Sequence, residues 1–459
     1  MSAEAKKLVL IVIDGLTPAV LEDALERRRT PALGFLAENG RYNRAVSTFP
    51  SLTPVCLSSI ATGAHPDVHR IPHLVWYHRG ERRLVEYGSS FAAVWAAGAV
   101  RALRDTILDM NRRHLGADAV TVYEALEDAG LTPAAVNITC YRGRTRHLPT
   151  VPGVPAAYGP RRFFFYNLFE SDVTGAPLAV RNRAAGTVDD YAAAVGRWLV
   201  TRDGFDFLVY YLSDYDYASH AYGPDAARST LARMDAHVGA LMAAAGGPDE
   251  FLERYAVILC SDHGQTGVDR VHRLQDAFAD LRLAARGAGE LAVTASNRAG
   301  MVYRLDGCRE DARGLAERLD SEPAAEVVLF LEDGEAVARR AGEELRFARE
   351  GDGWRTMGDV SILDYPDGLE RAWAALHNPN AGEVLVSAAE GVEFADLGGG
   401  HHLGGGSHGS LVAGDSEVPM LVVGIDVEPR SITDVAPAAL AHLGVEPPPY
   451  ARPIARVVA

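Results

Sequence analysis

The sequence predicts an α/β fold, a three-layer αβα sandwich in which helices cover both faces of a central, mostly parallel sheet. Three mostly apolar runs, the first of them rich in β-branched residues, are typical of strands that are buried on both faces. Helix-like segments alternate with these runs, as in a doubly wound sheet. The chain of 459 residues, 48% of them hydrophobic, is long enough to bury a large core and to carry a smaller second unit.

The three predicted strands all end in polar side chains. The first, residues 6–13, is followed by Asp14 and Gly15. The second, residues 205–212, continues into Ser213 and Asp214, and the third, residues 255–260, into Ser261-Asp262-His263. Ligands of such sheets bind beyond the carboxyl ends of the strands, so we expect these side chains to lie in one site.

The remaining segments predict the domain organisation. Helix-like patterns occupy residues 19–39, 121–130, 188–201 and 225–245. Residues 300–385 contain short strands and helices of mixed character, which we interpret as a smaller inserted α+β unit. The catalytic core is then formed by residues 1–299 and 386–459. The role of residues 78–165, which are polar and rich in arginine, is not indicated by their pattern.

Composition and charge argue against several classes of partner. The net charge of −16 repels polyanions, which argues against duplex nucleic acid as a partner. The four cysteines form no CxxC pair, so neither a zinc ribbon nor a disulfide framework is indicated. The sequence shows no signal peptide and no apolar stretch of roughly 20 residues, so we expect a cytoplasmic protein without a membrane partner. The oligomeric state is not indicated.

Several side chains are candidate metal ligands. Asp216 and His220 are four residues apart, so they reach a common point if the segment is helical. Asp262 and His263 follow a buried strand, where charged groups are costly unless they are paired or ligated. A late glycine-rich loop adds His408, with His401 and His402 as competing ligands. Carboxylate and imidazole ligands suit zinc and manganese alike.

The order of these motifs resembles the type I phosphodiesterase/nucleotide pyrophosphatase branch of the alkaline phosphatase superfamily. The resemblance covers residues 8 to about 270 and about 386 to 445. The motifs that carry it are Ile11-Val-Ile-Asp-Gly-Leu16, Thr48-Phe-Pro-Ser-Leu-Thr-Pro54, Ala61-Thr-Gly-Ala-His-Pro66 with His69, Asp216 to His220 with Tyr222-Gly-Pro224, Ser261-Asp-His-Gly264 and Gly405-Gly-Ser-His-Gly409.

The resemblance implies an alkaline phosphatase-like fold and a site with two divalent metal ions, zinc or manganese. One ion would be held by Asp216, His220 and His408. The other would be held by Asp14, Asp262, His263 and the hydroxyl oxygen of Thr53. Thr53 is the implied nucleophile, because its spacing to Thr62-Gly63 matches that of the family, and a covalent phospho-threonine would follow. The implied activity is hydrolysis of a phosphodiester or phosphoanhydride in a small phosphorylated, nucleotide-type substrate.

The sequence departs from the family pattern after His69. Arg70 replaces a glycine, and no asparagine follows nearby to contact the phosphate, so His73 is a candidate for that contact. Arg70 and Trp76 are further candidate substrate contacts, although a tryptophan is more often part of the core. The motifs alone leave open a phosphomonoesterase, a phosphonate hydrolase or a phosphomutase with the same metal site. An Arg70 side chain directed into the site would favour the monoester.

Overall fold

The computed structural model describes residues 5–171, 187–284 and 289–454. Its strands are, in chain order, β1 (Lys7–Ile13), β2 (Arg41–Val46), β3 (Val75–His78), β4 (Arg83–Glu86), β5 (Pro133–Val136), β6 (Thr145–His147), β7 (Ala157–Gly159), β8 (Arg162–Phe165), β9 (Phe169–Ser171), β10 (Phe207–Leu212), β11 (Tyr255–Cys260), β12 (Thr266–Gly267), β13 (Arg270–His272), β14 (Leu291–Ser296), β15 (Ala299–Arg304), β16 (Ala325–Glu332), β17 (Glu335–Arg340), β18 (Glu343–Glu350), β19 (Gly353–Gly358), β20 (Val384–Ala388), β21 (Val392–Phe394), β22 (Gly406–Ser407) and β23 (Glu417–Val423).

The α-helices are, in the same order, α1 (Pro18–Glu26), α2 (Pro31–Glu38), α3 (Thr53–Thr62), α4 (Pro66–His69), α5 (Phe91–Ala97), α6 (Ala99–Arg104), α7 (Val122–Asp128), α8 (Val188–Arg202), α9 (Asp214–Tyr222), α10 (Arg228–Ala244), α11 (Pro248–Arg254), α12 (Ala312–Asp320), α13 (Gly368–Leu376), α14 (Ala413–Ser416) and α15 (Val435–His442). A π-helical segment spans Asp105–His114, and 3₁₀ turns span Leu274–Phe278, Val360–Leu363 and Ile432–Asp434.

The central sheet has the strand order β2-β23-β11-β1-β10-β5-β8-β9. Its five middle strands, from β11 to β8, pair in parallel, while β23, β2 and β9 add antiparallel edges. Strand β1 lies between β10 and β11, and its side chains alternate between two buried layers. The predicted mostly parallel α/β sheet is therefore confirmed.

Helices cover both faces of this sheet. Helices α3, α7 and α15 pack on the face that contains Leu8, Leu10 and Val12 of β1. Helices α1, α2, α8 and α10 pack on the face of Val9, Ile11 and Ile13. The helix-like segment predicted over residues 19–39 forms two helices, because α1 ends at Glu26 and Pro31 starts α2 as its first residue.

A second, seven-stranded sheet has the order β14-β15-β20-β16-β17-β18-β19, and all its strand pairs are antiparallel. It begins at Leu291 and includes Val384–Ala388, so it extends past both ends of the predicted 300–385 unit. Helix α12 packs on one face of it, and α13 packs on the other, where the main core continues. The division of the chain into domains stays a prediction.

None of the helices in residues 5–171, 187–284 and 289–454 combines the length and the apolar character that crossing a bilayer requires.

Candidate active site

The carboxyl ends of β1, β10 and β11 meet at one edge of the central sheet. Asp14 directly follows β1, and Asp262 comes two residues after the end of β11. Asp216 lies in the first turn of α9, which begins two residues after β10. Because the three strands are adjacent and parallel, their polar extensions are held side by side.

Gly15 makes this close approach possible. Its backbone N–H donates to Oδ1 of Asp262 at 3.3 Å. A Cβ atom at this position would lie 2.7 Å from Oδ1 of Asp216, and its φ of +70° is in the left-handed region. A residue with a side chain here would push the aspartates of two strands apart.

The first candidate metal cluster contains Asp216, His220 and His408, whose potential ligand atoms all lie within 4.8 Å of one another. Asp216 and His220 are four residues apart on α9, and Oδ2 of Asp216 lies 3.2 Å from Nε2 of His220. His408 reaches them from the glycine-rich segment after β22. The family resemblance implied the same three residues, including a histidine that lies nearly 190 residues later in the chain, and their role as metal ligands stays a prediction.

The second cluster contains Asp14, Asp262 and His263, again with ligand atoms within 4.8 Å of one another. Nε2 of His263 lies 3.2 Å from Oδ1 of Asp14 and 3.5 Å from Oδ2 of Asp262. The imidazole rings of His263 and His408 stack with centroids 3.5 Å apart. The two clusters are therefore neighbours in one site.

The orientation of the three histidines fits a pair of divalent cations. Each uses Nδ1 for a backbone carbonyl: His220 for Gly406 at 2.8 Å, His263 for Gly264 at 3.0 Å and His408 for Ser51 at 2.7 Å. This arrangement is usual for metal-ligating histidines, because Nε2 is then the ring nitrogen that can offer its lone pair to a cation. Oδ1 of Asp14 and Oδ2 of Asp262 are buried and accept no hydrogen bond within the described residues. A divalent cation beside them would satisfy both oxygens.

The shifted pKa values in the second cluster also fit a bound cation. Burial raises the pKa of Asp262, and the negative charge of Asp14 raises it further, well above the usual range. Burial lowers the pKa of His263, but Asp262 and Asp14 outweigh this and raise it to about 10. The protein alone therefore holds a proton among these buried acids, and a cation in the same place would replace it.

Thr53 is the residue of the Thr48–Pro54 loop whose hydroxyl reaches the clusters. It begins α3, and its Oγ1 lies 3.1 Å from Nε2 of His263. By contrast, the buried hydroxyl of Thr48 contacts Cys56 and Ser59, and the hydroxyl of Ser51 donates to the carbonyl of Ser410 at 3.1 Å. Only Thr53, among these three, presents its hydroxyl to the site.

His401 and His402 are not members of either cluster. His401 pairs with Asp396 at 2.9 Å, and His402 pairs with Glu393 at 2.9 Å. The ring of His402 stacks on that of His220 with centroids 4.0 Å apart. Between the alternatives that the sequence left open, the structure places His408 in the cluster.

The three candidate substrate contacts lie in different environments. Trp76 is 1% exposed and packs in the core against His78 and His114, which is not the position of a residue that stacks on a substrate. Arg70 forms a surface ion pair with Asp118 at 3.0 Å. His73 is fully buried, accepts a hydrogen bond from the N–H of Val75 and has its pKa lowered to about 4 by burial.

Three polar residues at the site were missed by sequence reasoning. The Tyr211 hydroxyl donates to Asp14, and the Gln265 side-chain amide donates to Asp216. The side-chain amide of Asn297 lies 2.9 Å from Nε2 of His408. Gln265 could have been found from the sequence, because it follows His263 by two residues. Tyr211 is part of an apolar strand and Asn297 lies in a turn of the second sheet, so neither has a local pattern that indicates a place in the site.

Comparison with known proteins identifies the family. The family model for type I phosphodiesterase / nucleotide pyrophosphatase matches residues 8–411. The chain belongs to this family. As a type I phosphodiesterase/nucleotide pyrophosphatase family member, it is a phosphoric ester hydrolase. A search of curated proteins finds no significant match.

Solved structures share the fold of this family member. Phosphonoacetate hydrolase from Sinorhizobium meliloti 1021, in complex with phosphonoformate, is similar with a TM-score of 0.62 and 19% identity over 96% of both chains. Murine ectonucleotide pyrophosphatase / phosphodiesterase 5 is similar with a TM-score of 0.62 and 14% identity over 97% of both chains. The human protein of the same name gives 0.60 and 15%, over 97% of this chain and 96% of that one. At these identities the likeness establishes the alkaline phosphatase-like fold.

Proposed function

We propose that this protein hydrolyses a phosphodiester or phosphoanhydride with two divalent metal ions, zinc or manganese, through a covalent phospho-threonine on Thr53. Asp216, His220 and His408 would hold one ion. Asp14, Asp262, His263 and the Thr53 oxygen would hold the other. A small, nucleotide-type molecule is the proposed substrate.

The observation that carries the proposal is the 3.1 Å distance between the Thr53 hydroxyl and Nε2 of His263, beside two buried ligand clusters. When bound, divalent ions supply Lewis acidity that lowers the pKa of a ligated hydroxyl and neutralises charge on phosphoryl oxygens. Thr53 is the first residue of α3, so the positive end of the helix dipole also favours an oxyanion at its side chain.

The chemistry of this chain is then a two-step displacement. The Thr53 oxygen forms a bond to phosphorus while the bond to the leaving oxygen breaks on the opposite side. Water then attacks phosphorus, releases the phosphomonoester product from Thr53 and restores the hydroxyl. The nucleophile needs to be held in line, and Thr53 is suited to this because its backbone is part of a buried helix.

The position of Arg70 supports a diester or anhydride over a monoester. A dianionic monoester carries more charge on its non-bridging oxygens, and efficient monoesterases usually supply additional cationic donors. Arg70 is the strong cation that follows the Thr53 loop most closely, and it pairs with Asp118 at the surface. A mostly neutral donor set suits the monoanionic diester.

Two tyrosines support a nucleotide-type substrate. Tyr217 follows Asp216 and is 62% exposed, and Tyr166 is 38% exposed. Partial burial together with the negative charge of Asp14 raises the pKa of Tyr217 to about 12, and burial raises the pKa of Tyr166, with a smaller contribution from Asp14. Exposed aromatic rings close to the clusters are suited to stacking on a base. An inactive variant of the murine relative was solved in complex with AMP.

The test is a substrate panel with purified protein loaded with manganese or zinc. We expect a higher kcat/KM for a nucleotidyl nitrophenyl diester than for matched nitrophenyl phosphate, and hydrolysis of dinucleotides or nucleotide sugars. Arg70→Ala should preserve that ratio. A preference for the monoester that collapses in Arg70→Ala would establish a phosphomonoesterase. Including phosphonoacetate tests a phosphonate hydrolase, and product analysis separates a hydrolase from a mutase, which returns the phosphoryl group.

A further inference from the structure

One side chain of the second sheet, that of Asn297, contacts the candidate metal clusters. Asn297 is the first residue of the tight turn between β14 and β15, and its φ of +56° is a left-handed conformation that asparagine and glycine tolerate best. The turn is docked on the site, because the N–H of Arg298 donates to the carbonyl of His408 at 2.8 Å. Asn297 is 4% exposed.

The carboxamide of Asn297 has a defined orientation. The hydroxyl of Ser296 donates to its Oδ1 at 3.0 Å, which places the amide nitrogen on the other side. That nitrogen lies 2.9 Å from Nε2 of His408. Since Nδ1 of His408 already donates to the carbonyl of Ser51, Nε2 carries the lone pair and the Asn297 amide is the donor.

This hydrogen bond and a metal-ligating His408 exclude each other. When His408 ligates a cation through Nε2, that lone pair is no longer available to the Asn297 amide. A buried amide donor without an acceptor is costly, so another acceptor in the same place is favoured. When metal ions and substrate are bound, a phosphoryl oxygen of the substrate can be this acceptor.

We propose that Asn297 is a substrate-binding residue that donates its carboxamide N–H to a non-bridging oxygen of the phosphoryl group. The inference rests on the proposed function, because it requires a phosphorylated substrate at the two clusters. A neutral amide donor also agrees with a monoanionic diester. The second sheet would thereby contribute one hydrogen-bond donor to a phosphoryl-binding site that otherwise lies at the edge of the central sheet.

The test uses Asn297→Gly, because glycine keeps the left-handed turn and removes only the carboxamide. The matched control is Asp333→Gly, which makes a similar change at φ +51° in the exposed turn between β16 and β17 of the same sheet. Isothermal titration calorimetry measures the Kd for manganese and, in the manganese-loaded protein, the Kd for inorganic phosphate as the probe.

We expect Asn297→Gly to weaken phosphate binding roughly 10- to 100-fold, as for a lost hydrogen bond to a charged group. Manganese binding should be unchanged or tighter, because the amide no longer competes for Nε2, and Asp333→Gly should match the wild type. Unchanged phosphate binding in Asn297→Gly overturns the proposal. Weaker manganese binding also overturns it, since Asn297 would then be a metal ligand.

The same experiment separates this proposal from the proposed function. A wild-type protein that hydrolyses diesters and binds phosphate, with Asn297→Gly behaving identically, overturns only the role of Asn297. A wild-type protein that binds manganese but neither hydrolyses phosphoesters nor binds phosphate overturns both.

Discussion

Arg298 and Asp415 form a fully buried ion pair, with 3.1 Å between Nη1 and Oδ1, that ties the turn beside His408 to the segment after it. The Arg298 guanidinium also donates to the carbonyls of Val392 and Ala389. Asp415 accepts hydrogen bonds from the hydroxyls of Thr266 and Ser410. The pair therefore joins the segments that follow His263 and His408 to the second sheet.

Removing one partner of this pair should be strongly destabilising. Arg298→Met leaves Asp415 as an uncompensated buried charge, so we expect a loss of about 3–5 kcal/mol in the free energy of unfolding, measured with urea. Arg82→Met, which breaks the exposed pair with Asp306, is the control and should cost less than about 1 kcal/mol. Equal, small effects in both variants would contradict the structural role of Arg298.

Thr53→Ala should remove nearly all turnover while metal content is retained. The variant loses the covalent nucleophile but only one of several ligand atoms, so we expect kcat to fall by at least about 10³-fold. Metal content is measured by mass spectrometry and kcat with a nitrophenyl diester. Thr48→Val is the matched control, because that hydroxyl faces Cys56 and Ser59. Undiminished turnover in Thr53→Ala would point to direct attack by water.

Asp262→Asn should have opposite effects on the metal-free and the metal-loaded protein. Burial and the charge of Asp14 raise the pKa of Asp262, so the metal-free protein must take up a proton there on folding; asparagine removes that cost, and the variant should unfold at a higher Tm in EDTA. It also removes a ligand, so the rise in Tm on adding manganese should shrink. Asp235→Asn, which alters a buried acid that caps α2, should shift both Tm values equally. A full manganese response in Asp262→Asn would exclude Asp262 as a ligand.

Glu86 should make the protein less stable as the pH rises. Burial raises the pKa of Glu86 from 4.5 to about 7, although it accepts hydrogen bonds from Gly88 and Ser89. The folded state therefore binds this proton more tightly, and stability falls between about pH 4.5 and pH 7. Relative to wild type, Glu86→Gln should gain up to roughly 3 kcal/mol on going from pH 5 to pH 8.

Urea unfolding at the two pH values measures this gain. Glu350→Gln, at an exposed position at the end of β18, is the control and should change stability equally at both pH values. A Glu86→Gln variant whose difference from wild type does not depend on pH would contradict the prediction.

Local patterns were enough to predict the parallel sheet and the polar side chains at the ends of its strands, whereas the grouping into two clusters was implied by the family resemblance. Asp14, Asp216 and Asp262 follow strands that are mostly apolar, and adjacent parallel strands end at the same edge of a sheet. The helix spacing of Asp216 and His220 predicted that both face one point. The ligand and nucleophile roles of these residues stay predictions, which the variants above test.

The sequence by itself thus determined which strands are buried and which polar side chains their ends carry, because both depend on short-range patterns of hydrophobicity. Only the tertiary structure decided that Trp76 is buried in the core, that Arg70 forms an ion pair with Asp118 and that Asn297 contacts His408. These outcomes depend on how the second sheet and the loops pack against the central one. A residue such as Asn297 has no local signal for its role, because its partner lies 111 residues further along the chain.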